Sequence, residues 1–174
     1  MKKIYITGVS GTGKTTIYEE LKKRGFTAIS LDETDDLCCW ASKKTKEKVE
    51  RQVELNIEFT STHDWICDIE YLKKLLAKET DKDMVFVLGV ASNQKEFLTM
   101  FDKVLVLQCK PETFLHRLTH RTNNEFGKDE TVRSAVLGWY QEFESELLLR
   151  GAISIDTDKP LNEVVEEVLR QAGI

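Results

Sequence analysis

The chain has 174 residues, room for one domain that buries roughly 70% of its unfolded surface. Hydrophobic residues at 41% and charged residues at 32% exclude a disordered chain, and no apolar run approaches the ~18 residues of a membrane span. Lysine and arginine number 25 against 30 acids, a net charge of −5 that argues against a broad nucleic-acid surface.

Met1-Lys2-Lys3 leads straight into Ile4-Tyr5-Ile6-Thr7, without the apolar stretch and cleavage site of a signal peptide, so a cytoplasmic protein is expected. Lys3 to Thr7 is a short β-branched run ending at Gly8, the pattern of a buried strand. Thr16 to Arg24 reads as a helix closed by Gly25. Phe26 to Leu31 is a second strand that delivers Asp32, Glu33 and Asp35 at its end. Val49, Val53 and Ile57 recur every four residues, which predicts an amphipathic helix from about Lys43 to Thr60. Asp68 to Lys78 is a further helix, with Asp68 suited to its N-cap. Met84 to Leu88 and Lys103 to Leu107 are buried strands, separated by a turn that Ser92 or Asn93 is suited to cap. Pro111 opens a helix through Arg121, a polar loop follows, and Val132, Val136, Trp139, Phe143 and Leu147 mark a long helix with Trp139 and Phe143 in the core. Ala152 to Ile155 is the last strand and Pro160 to Ala172 the last helix. Short apolar strands alternating with helices predict one domain, a three-layer α/β/α sandwich around a parallel sheet. Cys38, Cys39, Cys67 and Cys109 lack zinc-ligand spacing and are expected as reduced thiols.

Gly8 to Thr15 fits G-x-x-x-x-G-K-[ST] and lies between a strand and a helix, as a phosphate-binding loop must. Gly8, Gly11 and Gly13 let the backbone curl so that the N–H groups through Ser10 and Thr12 face phosphate oxygens. Lys14 supplies charge to the β- and γ-phosphates, the Thr15 hydroxyl suits Mg²⁺, and the helix start beyond, with Thr16, adds its positive dipole end. A guanine-selective Asn-Lys-x-Asp and an Asp-x-x-Gly switch are both absent. That leaves the small ATP-dependent phosphotransferases.

The whole chain resembles the adenylate kinase/shikimate kinase/gluconate kinase superfamily of small P-loop kinases. The resemblance rests on Gly8 to Thr15, Asp32 at the second strand's end, Leu115-His116-Arg117-Leu118-Thr119-His120-Arg121, and Ile155-Asp156-Thr157-Asp158-Lys159-Pro160. It implies a P-loop NTPase fold with a five-stranded parallel sheet of order 2-3-1-4-5. It also implies a helical substrate segment at about 37–65, a short lid at about 122–129, and ATP with Mg²⁺ as cofactors. By that resemblance Arg117 lies on the adenine, Arg121 reaches the phosphates, Lys159 and Pro160 border the nucleotide, and Asp32 holds the accepting hydroxyl. Arg117 and Arg121 also share a helix face by their spacing, and guanidinium suits both stacking and phosphate. His116 and His120 are expected as a surface pair, since no third metal ligand follows.

The acceptor side is less patterned. Glu33 is an alternative carboxylate to Asp32, and Gly89 and Asn93 either face a hydroxylated substrate or simply form a turn. Trp40 and Trp65 are either core or a stacking surface. Where adenylate kinases carry Asp-Gly and then arginine after the third strand, this chain has Leu88-Gly89 and then Ser92. Between Gly25 and Leu115 the only arginine is Arg51, whereas a dianionic phosphate normally needs forked arginines. The expected acceptor is therefore a small hydroxylated compound, nucleoside-like or sugar-like, handled by a monomer or homodimer. The alternatives are a nucleoside monophosphate kinase and an ATP-binding, slowly hydrolysing regulatory protein.

Overall fold

The computed structural model describes residues 1–49, 57–79, 81–120 and 130–174. The large sheet has five parallel strands: β1 (Lys2–Thr7), β2 (Thr27–Ser30), β6 (Met84–Leu88), β7 (Lys103–Gln108) and β8 (Ile153–Asp156), in the order β2-β6-β1-β7-β8. Counting only these strands, the order is the expected 2-3-1-4-5. The central strand β1 pairs Ile4 with Phe86 and Ile6 with Leu88 on one side, and Ile6 with Leu105 on the other. Ile4, Tyr5 and Ile6 are wholly buried, which is why the run is apolar without alternation.

Helices α1 (Lys14–Lys23) and α6 (Leu161–Ala172) cover one face, where Ile17, Leu21, Val165 and Val168 pack on Ile4, Ile6 and Leu107. Helix α3 (Ile69–Lys78) covers the other, with Leu72 and Leu76 against Tyr5, Val85 and Val87. Asp68 caps α3 by accepting the Tyr71 N–H at 2.9 Å. Helices α4 (Pro111–His120) and α5 (Glu130–Leu149) build a third cluster, in which Val9 of the phosphate loop meets Phe114, Leu118, Val136 and Tyr140, with Phe143 partly buried beside them. The Val132 and Trp139 side chains lie outside the described residues. No described helix is long and apolar enough to cross a membrane, and the four cysteines are free.

The segment expected as a helix over 43–60 is different. Strands β3 (Cys38–Ser42), β4 (Lys48–Val49) and β5 (His63–Cys67) form a small antiparallel sheet, and only α2 (Ile57–Thr62) is helical. So within the 37–65 segment ten described residues are strand and six are helix, with residues 50–56, Arg51 among them, outside the described residues. Long-range pairing wins here: Trp40 sits opposite Trp65 and Cys38 opposite Cys67, while Lys46 takes a left-handed φ of 63° in the β3–β4 turn. Trp40 and Trp65 lie 5.4 Å apart, and Phe59 of α2 meets Trp40 edge-on at 5.2 Å. The two tryptophans thus pack on each other across the sheet.

Candidate active site

The β1–α1 connection is a tight loop held from inside. Gly11 and Gly13 have φ of 95° and 101°, left-handed values that a side chain would strain. At Gly8 a Cβ would stand 2.6 Å from the Thr12 hydroxyl and 2.9 Å from the Leu107 carbonyl oxygen. Thr12 is buried and donates its hydroxyl to the Val9 carbonyl at 2.8 Å. Helix α1 starts at Lys14, two residues before the expected Thr16, and no side chain caps it. Its first-turn amides therefore stay available to an anion. The nearly buried Lys14 ammonium donates to the Gly8 and Val9 carbonyls at 2.6 and 2.9 Å.

An open cleft of about 540 Å³ is lined by Ser10, Gly11, Thr12, Gly13, Lys14, Thr15, Thr16, Asp32, Arg117 and Lys159. These ten expected residues are brought together at the carboxyl ends of the parallel strands, where such sheets bind ligands. The exposed Asp32 follows β2 because the Ser30 hydroxyl accepts the Asp32 and Glu33 N–H groups at 3.3 and 3.2 Å, turning the chain out of the sheet. Gly8, Glu33, Gly89, Asn93 and Pro160 do not line the cleft. Arg51, Arg121 and the lid at 122–129 lie outside the described residues.

Arg117 is clamped rather than free. Its guanidinium donates to the Thr157 hydroxyl at 3.0 Å and the Thr157 carbonyl at 2.6 Å, and Thr157 donates its own N–H and hydroxyl to the Gln108 carbonyl. The clamp fixes α4 against the β8–α6 turn that carries Lys159. Below it, the Tyr140 hydroxyl donates to the Cys109 carbonyl at 2.8 Å and accepts the Cys109 N–H at 3.1 Å. Burial pushes that phenol's pKa up.

Gly89 and Asn93 are held internally. The Gly89 carbonyl accepts the Tyr5 hydroxyl at 3.0 Å, and the Gln94 side-chain oxygen accepts the Thr7 hydroxyl at 3.0 Å. Tyr5 is fully buried, and burial holds its hydroxyl well above the usual phenol range. A Cβ on Gly89 would fall 2.4 Å from the Leu31 Cβ, so this turn lies directly on the residue preceding Asp32. Neither Ser92 nor Asn93 caps the short turn Gln94–Glu96; the Asn93 carboxamide instead accepts the Cys67 N–H and donates to the Cys67 carbonyl, both at 3.0 Å. That double bond ties β5 to the turn after β6.

His116, His120, Thr157, Leu161 and Val164 also line the cleft, and the sequence reading did not place them there. For the two histidines a signal existed, since in sequence they directly precede Arg117 and Arg121. Thr157 stands in the Ile155 to Pro160 stretch singled out above, but its pairing with Arg117, 40 residues away, carried no local signal.

The family profile described as AAA domain matches residues 4–138. A shikimate kinase of Bacillus cytotoxicus is 27% identical over 98% of this chain and 98% of its own length. A gluconokinase structure from Sinorhizobium meliloti superimposes with a TM-score of 0.57 at 18% identity, covering 98% of this chain and 91% of that one. A deoxyadenosine kinase structure from M. mycoides with bound dATP gives a TM-score of 0.55 at 16% identity, covering 99% and 100%. The fold of the small P-loop kinases, and the resemblance to them, are thereby borne out.

Proposed function

The chain belongs to the AAA domain family, and on that footing we propose that it transfers the γ-phosphoryl group of ATP to the hydroxyl of a small nucleoside-like or sugar-like compound. The observation that carries this reading is one cleft holding both the Lys14–Thr15 phosphate loop and the Asp32 carboxylate. Phosphoryl transfer asks a protein chiefly for positioning and charge. Loop amides from Ser10 to Gly13 hold the phosphates, with Gly8 making the curl possible. Lys14 leaves the loop carbonyls for phosphate oxygens. Arg117, fixed by Thr157, forms a wall beside the nucleoside with Lys159, and Arg121 covers the transferring group. Asp32 orients the acceptor hydroxyl and takes its proton, with Glu33, Arg51 and the Gly89 to Asn93 turn on the acceptor side.

Mg²⁺ suits this donor set, because it prefers hard oxygen ligands and keeps several waters. Thr15 would hold it, with Thr16 adjacent, and the ion would neutralise charge on the β- and γ-phosphates. The hydroxylated acceptor is favoured by the carboxylate beside the loop, which repels a second dianion and suits a neutral hydroxyl. The names of the relatives, a shikimate kinase, a putative adenylate kinase and a gluconokinase, support a small-molecule kinase and do not choose between these acceptors. A coupled ADP-release assay tests it, with AMP, CMP, UMP and GMP beside nucleosides, gluconate and shikimate. Turnover on a hydroxyl compound is expected; fast turnover confined to a monophosphate overturns the acceptor assignment.

A further inference from the structure

We propose that Cys38 and Cys67 are the site of a reversible intramolecular disulfide, closed by hydrogen peroxide and reopened by thiols, that staples β3 to β5. The inference stands independently of the reaction proposed for the cleft. Both cysteines are free thiols in the structure, and they face each other in the antiparallel register of the small sheet. The flanking bonds show what kind of position this is. Asp68 donates its N–H to the Leu37 carbonyl at 2.8 Å, and Lys43 donates to the Thr62 carbonyl at 2.9 Å. Hydrogen-bonded pairs recur at every second residue of an antiparallel ladder, so they fall at Leu37, Cys39, Ala41 and Lys43, and Cys38 falls between them. The Cys67 backbone agrees, since its N–H and carbonyl turn to the Asn93 carboxamide instead of to β3. At such a position facing Cα atoms stand about 4.5 Å apart, within the roughly 4.4–6.8 Å that a disulfide spans. The two side chains share one side of the sheet, and the thiols hydrogen-bond to each other.

The other two cysteines do not compete for this bond. Cys39 faces Ile66 on the opposite side of the sheet, and Cys109 belongs to the separate cluster around Phe114 and Tyr140. Cys38 and Cys67 pack instead with Leu31 and Leu37, which bracket Asp32 in the chain. A bond here ties the stretch leaving Asp32 to β5, which Asn93 already ties to the turn after β6. The chemistry takes two thiols and one peroxide. Cys67 is buried at 2% exposure and Cys38 is only half-buried, so peroxide meets Cys38 first. The Cys38 sulfur attacks a peroxide oxygen as its proton leaves, the O–O bond breaks, and a sulfenic acid and one water result. The Cys67 sulfur then attacks the Cys38 sulfur; the S–O bond breaks, the S–S bond forms, and the second thiol proton departs in a second water. Both sulfurs are oxidised and the peroxide is reduced. The hydrogen bond with Cys67, together with burial, pushes the Cys38 thiol far up, which keeps its thiolate scarce and makes the first step slow.

Mass spectrometry tests this on the full chain, held for hours with excess hydrogen peroxide, a time suited to slow thiol oxidation, then alkylated and digested. The peptide bearing Cys38 should be joined to the peptide bearing Cys67, with two hydrogen atoms lost, and dithiothreitol should restore both thiols. Cys39→Ser should keep the bond, which assigns it to Cys38 within a peptide that carries both residues. Cys38→Ser should lose it; if that variant fails to fold, the map of wild type and of Cys39→Ser decides alone. The bond closes a loop of 28 intervening residues, so the oxidised protein should melt roughly 5–10 °C higher, and dithiothreitol should remove the gain. Thiols that stay unjoined in peroxide, or a bond that runs through Cys39 or Cys109, overturn the proposal. A Cys38–Cys67 bond that leaves Tm unchanged or lowers it overturns the staple. Each of these results leaves the proposed function standing.

Discussion

Replacing Lys14 with alanine should separate what this side chain does for the loop backbone from what it does for a bound phosphate. Its ammonium is nearly buried and donates to the Gly8 and Val9 carbonyls at 2.6 and 2.9 Å. Hydrogen bonds from a charged donor are each worth about 1.5–3 kcal/mol, but burying the ammonium offsets much of this, and the freed carbonyls rehydrate in an open cleft. The net cost is therefore about 1 kcal/mol, a fall of roughly 2–4 °C in Tm for a chain of this length. The loss with ligand is larger. A nucleotide at 100 times its Kd stabilises wild type by about 2.7 kcal/mol, or roughly 5–11 °C, and the variant should lose most of that shift. Turnover should fall at least ~10²-fold, the usual effect of removing one preorganised donor to developing charge. Thermal shift with and without adenylyl imidodiphosphate, beside the ADP-release assay, reads both effects. A full ligand-induced shift with wild-type turnover would refute the role given to Lys14.

Arg117→Ala should raise the Michaelis constant for ATP about tenfold and leave kcat less affected, because it removes the clamp on Thr157; an effect confined to kcat contradicts this. Asn93→Ala removes both bonds to the Cys67 backbone and should cost about 2 kcal/mol in urea unfolding. Glu144 is buried on α5 and desolvation pushes its carboxyl pKa up, so native protein binds the proton more tightly than unfolded chain. Stability from this group is present below about pH 4.3 and is lost as pH rises through the raised folded value. Glu144→Gln should therefore gain about 1 kcal/mol at pH 8 and nothing at pH 4, measured as the difference in urea midpoints.

The parallel sheet is readable locally because its three central strands are buried on both faces, and Ile4-Tyr5-Ile6 and Val85-Phe86-Val87 need no partner's identity to be recognised. The small sheet is not. Of the residues four apart that predict one helix, Val49 ends β4, Ile57 opens α2 and Val53 lies outside the described residues, so the spacing does not tell one helix from strands that pair at long range. What decides between them is the pairing of Trp40 with Trp65, a contact across 25 residues that no local window contains. The site divides the same way. Lys14, Thr15 and Asp32 follow from a contiguous motif and a strand end, whereas the hold on Arg117 depends on Thr157, and the use of Asn93 on Cys67.

Transfer of label from ATP carrying a tagged γ-phosphate tests the central claim most directly. The protein is incubated with Mg²⁺ and a pool of nucleosides, sugar acids and cyclic hydroxy acids, and the labelled products are separated. Label should appear on the hydroxyl of an organic acceptor, and Asp32→Asn should cut that transfer at least ~10²-fold while nucleotide still binds. Label recovered only as inorganic phosphate, at a rate indifferent to every acceptor, would contradict the claim.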